Sequence, residues 1–173
     1  MSSRDGDDFD LFGLPRRFDL DVAELDARRR ALQGQVHPDR FASSDAASRR
    51  IAMQWAVRVN EAHARLKNPL RRAAYLCELG GVPIAAEDNT AMPADFLMQQ
   101  MQWREALDEA REPASVQSLA SELAAQRADA HRRLARSLDD SADFAAAAQE
   151  VRSLMFVERL IDDIEDRLAA LEA

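Results

Sequence analysis

The chain has 173 residues, 47% of them hydrophobic and 31% charged, enough apolar material for one domain or two small ones and too much for a wholly disordered segment. Its one cysteine excludes an intrachain disulfide and a thiolate cluster site, and no run of 18 apolar residues exists to span a membrane. Residues 1–80 carry 14 Lys+Arg against 12 Asp+Glu, a net of +2, whereas residues 81–173 carry 9 against 19, a net of −10, so the second half is a poor ligand for nucleic acid, whose binding is largely electrostatic.

Ala, Leu, Arg and Glu dominate and only five glycines occur, so the expected class is all-α. The acidic start lacks an apolar h-region, which argues against a secretory signal and for a cytoplasmic protein. Phe9-Asp10-Leu11-Phe12-Gly13-Leu14-Pro15 predicts one turn of helix closed by Gly and Pro. Asp21 is then an N-cap with Glu24 three residues on, and Val22, Leu25, Leu32 and Val36 follow at helical spacing. This helix should stop near His37, because Pro38 disfavours the α region in the residue before it.

Residues 41–45 read as a loop, with Ser43, Ser44 and Asp45 available to cap the next helix. Ile51, Trp55, Val59, Ala62 and Leu66 predict a long helix to about Lys67, broken by Asn68-Pro69. Leu70–Leu79 reads as a short helix that Gly80-Gly81 stops. Residues 81–92 hold Pro83, run up to Pro93 and show no helical stripe, which makes them the expected linker. Three helices are predicted beyond it, Pro93–Arg111, Ala114–Asp139 and Asp143–Glu172, with short turns that imply a three-helix bundle over 93–173.

His37-Pro38-Asp39 falls at the tip of the first helical hairpin, after a helix bearing Arg28, Arg29 and Arg30. A polar tip of this kind suits signalling to another protein. A catalytic His–Asp pair is the weaker reading, because no nucleophile, oxyanion loop or second acid–base group lies nearby. In this setting the tripeptide resembles that of a J-domain, the module that stimulates ATP hydrolysis by DnaK-type chaperones. Phe9–Pro15, Asn60–Pro69 and Leu70-Arg71-Arg72-Ala73-Ala74-Tyr75-Leu76 narrow the resemblance to the HscB family of iron–sulfur cluster assembly, over about residues 8–172.

That resemblance implies a J-domain at 1–80, with His37, Pro38, Asp39, Arg28 and Arg30 binding a dedicated ATPase, HscA. Gly34-Gln35 stands where J-proteins often carry a basic residue.

The helix at 93–111 has two apolar faces. Phe96, Trp103, Leu107 and Ala110 share one side, and Leu97, Met98 and Met101 lie on the other beside Glu105 and Glu109. A bundle buries one stripe per helix, so the aromatic face is the expected core and the Leu/Met face the expected surface. On the last helix, Val157, Leu160, Ile161, Ile164, Leu168 and Leu171 form the stripe and Phe156 projects to its flank. The resemblance assigns Leu97, Met98, Met101, Gln102, Glu105, Glu109 and Phe156 to binding of the scaffold protein IscU. Gln102 occupies a position where the family pattern favours an acid.

The remaining polar features read as structural. His63 and His131 have no metal-ligand companions at i±4, Cys77 sits in an apolar helix, and Arg132-Arg133 and Asp162-Asp163 read as solvated faces. Trp55 and Trp103 read as anchors of their helices. The expected protein is a co-chaperone without catalytic residues, metal or cofactor. A general J-protein with another client, and a helical adaptor outside chaperone systems, are the alternatives.

Overall fold

The computed structural model describes residues 6–36, 45–84 and 92–172. Every regular element among them is helical: α1 (Asp8–Phe12), α2 (Val22–Val36), α3 (Ala46–Lys67), α4 (Pro69–Leu79), α5 (Ala94–Glu109), α6 (Pro113–Ala135) and α7 (Phe144–Glu172), with a π turn at Arg136–Asp140. The chain divides into two compact units, Met1–Leu76 and Cys77–Ala173, and the division falls within α4.

In the first unit α1 is capped at both ends. Asp7 accepts from the Asp10 backbone N–H, and the Asp10 carboxylate accepts from the Asp7 N–H. Gly13 closes the helix at φ +62°, with Leu14 N–H returning to Phe9 O and Gly13 N–H to Asp10 O. Asp21 starts α2 by accepting from the Ala23 and Glu24 N–H groups. Asp45 starts α3 by accepting from Ser48 N–H at 2.7 Å. The other two candidate caps, Ser43 and Ser44, lie outside the described residues.

Helices α2 and α3 pack as a hairpin, with α1 against both. Leu25, Ala52, Val59, Ala62 and Leu66 fill the core together with Phe9, Leu11, Phe12, Leu14 and Phe18. Two expectations for α3 change. Trp55 is only half-buried, and Ile51 is 51% exposed. At 100° per residue Ile51 lies roughly 65° from the centre of the buried stripe, which explains its exposure. Asn68 then serves as the C-cap of α3 and as a cap of α4, accepting from Arg71 N–H, so α4 begins at Pro69, one residue earlier than expected.

A buried charge ties these helices together. Asp8 is fully buried and pairs with Arg58 at 2.5 Å and Arg65 at 2.9 Å, while its backbone N–H donates to the Tyr75 hydroxyl. Arg65 also lies over the Tyr75 ring, and Phe9 stacks on it. Burial of a carboxylate is tolerable only with such pairing.

In the second unit α5, α6 and α7 each pack against the other two, forming the expected three-helix arrangement. Pro93 has ψ 137° and is the residue before α5 rather than its first helical position; Pro113 instead opens α6. The α-helix expected to run to Asp139 ends at Ala135 and passes into the π turn, with Ser141 N–H bonding Arg136 O. Asp143 caps α7 through Ala146 N–H.

The α7 core begins earlier than expected: Ala147, Ala148, Val151 and Leu154 are buried as fully as Val157, Leu160 and Ile164. Ile161, Leu168 and Leu171 are only half-buried. The two glycines after α4 divide their labour. Gly81 takes φ +81°, and a Cβ on Gly80 would stand 2.4 Å from the Phe144 ring.

Candidate functional site

The first expected site centres on His37, Pro38 and Asp39, which lie outside the described residues. Its helical flank is described. Gln33 Nε2 donates to Asn60 Oδ1, bracing α2 against α3 below the tip. Further down, His63 is buried and bonds Asp26 at 2.6 Å, and Lys67 reaches the same carboxylate at 3.1 Å. The hydrogen bond from His63, then that from Lys67, holds the Asp26 carboxyl below its ordinary value. His63 is therefore a packed, hydrogen-bonded residue.

Arg28 and Arg30 are both exposed. They differ in freedom. Arg28 donates to Phe12 O at 3.1 Å and to Glu24 at 2.6 Å, so it clamps the turn after α1 while remaining 45% exposed. Arg30 makes no ion pair among the described residues.

The second site lies on α5. Leu97, Met98 and Met101 are 42%, 61% and 72% exposed, and Gln102, Glu105 and Glu109 are exposed beside them. The opposite face buries Trp103, whose Nε1 donates to Glu122 on α6 at 2.7 Å. This bond fixes which face of α5 turns inward. Phe96 and Leu107, placed in the core by the sequence, are only half-buried.

Phe156 is half-buried rather than freely exposed. Its ring meets Phe96 edge-on at 6.2 Å, and the Arg104 guanidinium lies 5.2 Å above it. Arg104 was not singled out by sequence. Its register one residue past Trp103 gives no sign of a ring on another helix.

Cys77 is fully buried, and burial pushes its thiol up to about 11, which leaves it protonated and inert near neutrality. Arg133, read as solvated, is exposed yet donates from Nε and Nη2, one edge of its guanidinium, to the two oxygens of Glu150.

Comparison with known proteins decides the family. Over 162 residues the chain is 54% identical to the co-chaperone protein HscB homolog of Bordetella petrii, covering 91% of this chain and 94% of that one. The chain belongs to the HscB co-chaperone family. The Azoarcus HscB homolog is 50% identical over 96% of each chain. A family model described as the HSCB C-terminal oligomerisation domain matches residues 92–165, from α5 through most of α7.

Solved HscB structures share the fold. Vibrio cholerae chaperone HscB superposes with a TM-score of 0.84 at 36% identity, covering 96% of this chain and 99% of that one. Human co-chaperone HscB gives 0.90 at 26% identity, covering 94% and 82%. The all-α architecture of an HscB protein, a J-domain followed by a C-terminal helical domain, is thus present here. No helix among the described residues is long and apolar enough to cross a membrane.

Proposed function

We propose that this HscB-family chain is a cytoplasmic co-chaperone of iron–sulfur cluster biogenesis that delivers the scaffold IscU to the DnaK-type ATPase HscA and stimulates ATP hydrolysis there. Residues 1–80 act as the J-domain, 81–92 as a linker, and 93–173 as the scaffold-binding bundle. His37, Pro38 and Asp39 dock on the ATPase. Pro38 restricts the turn, and Asp39 accepts charge-assisted hydrogen bonds from the partner. Arg28 and Arg30 steer the encounter towards an acidic surface. The chain itself carries out no catalysis and needs no cofactor.

The observation that carries the scaffold half is the inversion on α5, where Leu97, Met98 and Met101 face water while Trp103 alone of the large side chains is sealed inside. Burying a Leu or Met side chain yields roughly 1.5–3 kcal/mol. Three such anchors offset part of the association cost and favour a transient complex. Glu105 and Glu109 add an acidic rim, and methionine adapts to the partner's shape.

The test is steady-state ATP turnover by HscA, alone, with this chain, and with this chain plus IscU. Stimulation by the chain and a further rise with scaffold are expected. No stimulation would point to the helical adaptor, and capture of a client other than IscU would point to a general J-protein.

A further inference from the structure

Two of the three apolar anchors on α5 carry sulfur. Met98 and Met101 stand one turn apart on the same face. Met101, at 72%, is the most exposed large hydrophobic side chain among the described residues. Around the helix it lies between Leu97 and Met98, at the centre of the patch. Of the other described methionines, Met92 and Met155 are half-buried. Only Met53, which shares the outward face of α3 with Val57, is as open as Met98. A thioether in water is open to oxidation to a sulfoxide, which turns a flexible apolar side chain into a polar one.

The two sulfurs sit where that change spares the free chain and harms a complex. At 100° per residue Met98 and Met101 are turned about 140° and 160° away from Trp103, the residue sealed in the bundle. A sulfoxide at either position stays in water, and the core contacts of α5 are untouched. A partner that covers this face strips water from the sulfoxide oxygen, and an apolar partner surface offers it no donor. The modification therefore weakens docking and leaves folding alone. Leu97, in the same patch, has no such chemistry.

We infer that Met98 and Met101 form a reversible oxidation site that switches off scaffold docking, a role that rests on the proposed binding of IscU by α5. The oxidant is a hydroperoxide, whose neutrality suits a face rimmed by Glu105 and Glu109. A sulfur lone pair attacks one peroxide oxygen. The S–O bond forms as the O–O bond breaks, the sulfur gives up two electrons, and the other oxygen leaves as water. The return step draws two electrons from the dithiol of a methionine sulfoxide reductase, which becomes a disulfide while the sulfoxide oxygen leaves as water.

The experiment treats the full chain with hydrogen peroxide, removes the oxidant by desalting, and only then adds IscU, so the scaffold never meets peroxide. Peptide mass spectrometry reads the sulfoxide at each methionine, and calorimetry reads the affinity for IscU. Met98 and Met101 should oxidise ahead of Met92 and Met155 at an unchanged melting temperature. The Kd should rise at least tenfold, about 1.4 kcal/mol, and a methionine sulfoxide reductase with dithiothreitol should restore it. Variants are each compared with their own untreated form, so a shift in starting affinity drops out. Met98→Leu plus Met101→Leu should change less than twofold on treatment, whereas Met53→Leu should lose as much as wild type. If the double variant binds poorly, Met101→Leu alone should lose less than wild type. A Kd within twofold after full oxidation of both methionines, with untreated wild type still binding IscU, would overturn the switch and leave the proposed function standing. An equal loss in the leucine variants, or a fall in melting temperature on oxidation, would place the damage elsewhere and overturn it too. Untreated wild type failing to bind IscU would remove both readings.

Discussion

At the scale of single residues, the J-domain depends on two carboxylates that the sequence presents as ordinary. Asp8 belongs to the acidic start of the chain, yet it is sealed beneath Arg58 and Arg65, 50 and 57 positions away. Removing both arginines leaves a buried charge unpaired, so Arg58→Ala plus Arg65→Ala should cost about 3–5 kcal/mol, read from the urea midpoint of the intact chain. Asp8→Ala leaves two arginines that can turn to water, and its cost should be smaller.

Asp26 makes the unit sensitive to acid. Its native pKa lies below the ordinary 3.8, because His63 and then Lys67 hydrogen-bond the ionised form. The unfolded chain therefore binds this proton more readily. The stabilisation is present above the ordinary value and is lost as pH falls from about 4 through the native pKa. Asp26→Asn should flatten the stability loss between urea titrations at pH 5 and pH 3. An unchanged loss would assign it to other carboxylates.

At the scale of elements, α5 shows how far periodicity reaches. At 100° per residue Trp103 and Met101 fall about 160° apart, so the sequence separates an aromatic face from a Leu/Met face. The structure turns the tryptophan inward and ties it to Glu122. Trp103→Ala should destabilise the bundle by about 3–5 kcal/mol, while Met101→Ala should stay within about 0.5 kcal/mol, both measured by denaturant unfolding. Comparable losses would contradict the assignment of faces. Phe156 marks the limit of the same reasoning. Its half-burial arises from Phe96 and Arg104 on another helix, and its own register shows neither. The π turn at Arg136–Asp140 is likewise illegible in a sequence that continues a helical pattern and is recognised by its hydrogen bonds.

At the scale of the molecule, two surfaces of opposite charge sit on one covalent chain. In the proposed function, linking them makes the second encounter effectively intramolecular, so that two weak contacts act in concert. The two tasks should come apart by mutation. His37→Gln should abolish HscA stimulation and leave IscU affinity near normal. Leu97→Ala with Met101→Ala and Phe156→Ala should lower IscU affinity at least tenfold and leave scaffold-independent stimulation intact. Loss of both activities in both folded variants would contradict the division of labour.

What the sequence determined by itself was local or periodic. The helix-rich composition, the caps at Asp21 and Asp45, the glycine stop after Leu79 and the two faces of α5 follow from interactions within a few residues of one another. Only the tertiary structure decided the burial of Asp8, the partial cover on Phe156 and the outward face of Met53 and Val57. Each of these depends on which distant helix arrives to pair with a charge, shield a ring or leave a face bare, and helical spacing records a residue's direction without recording what stands there.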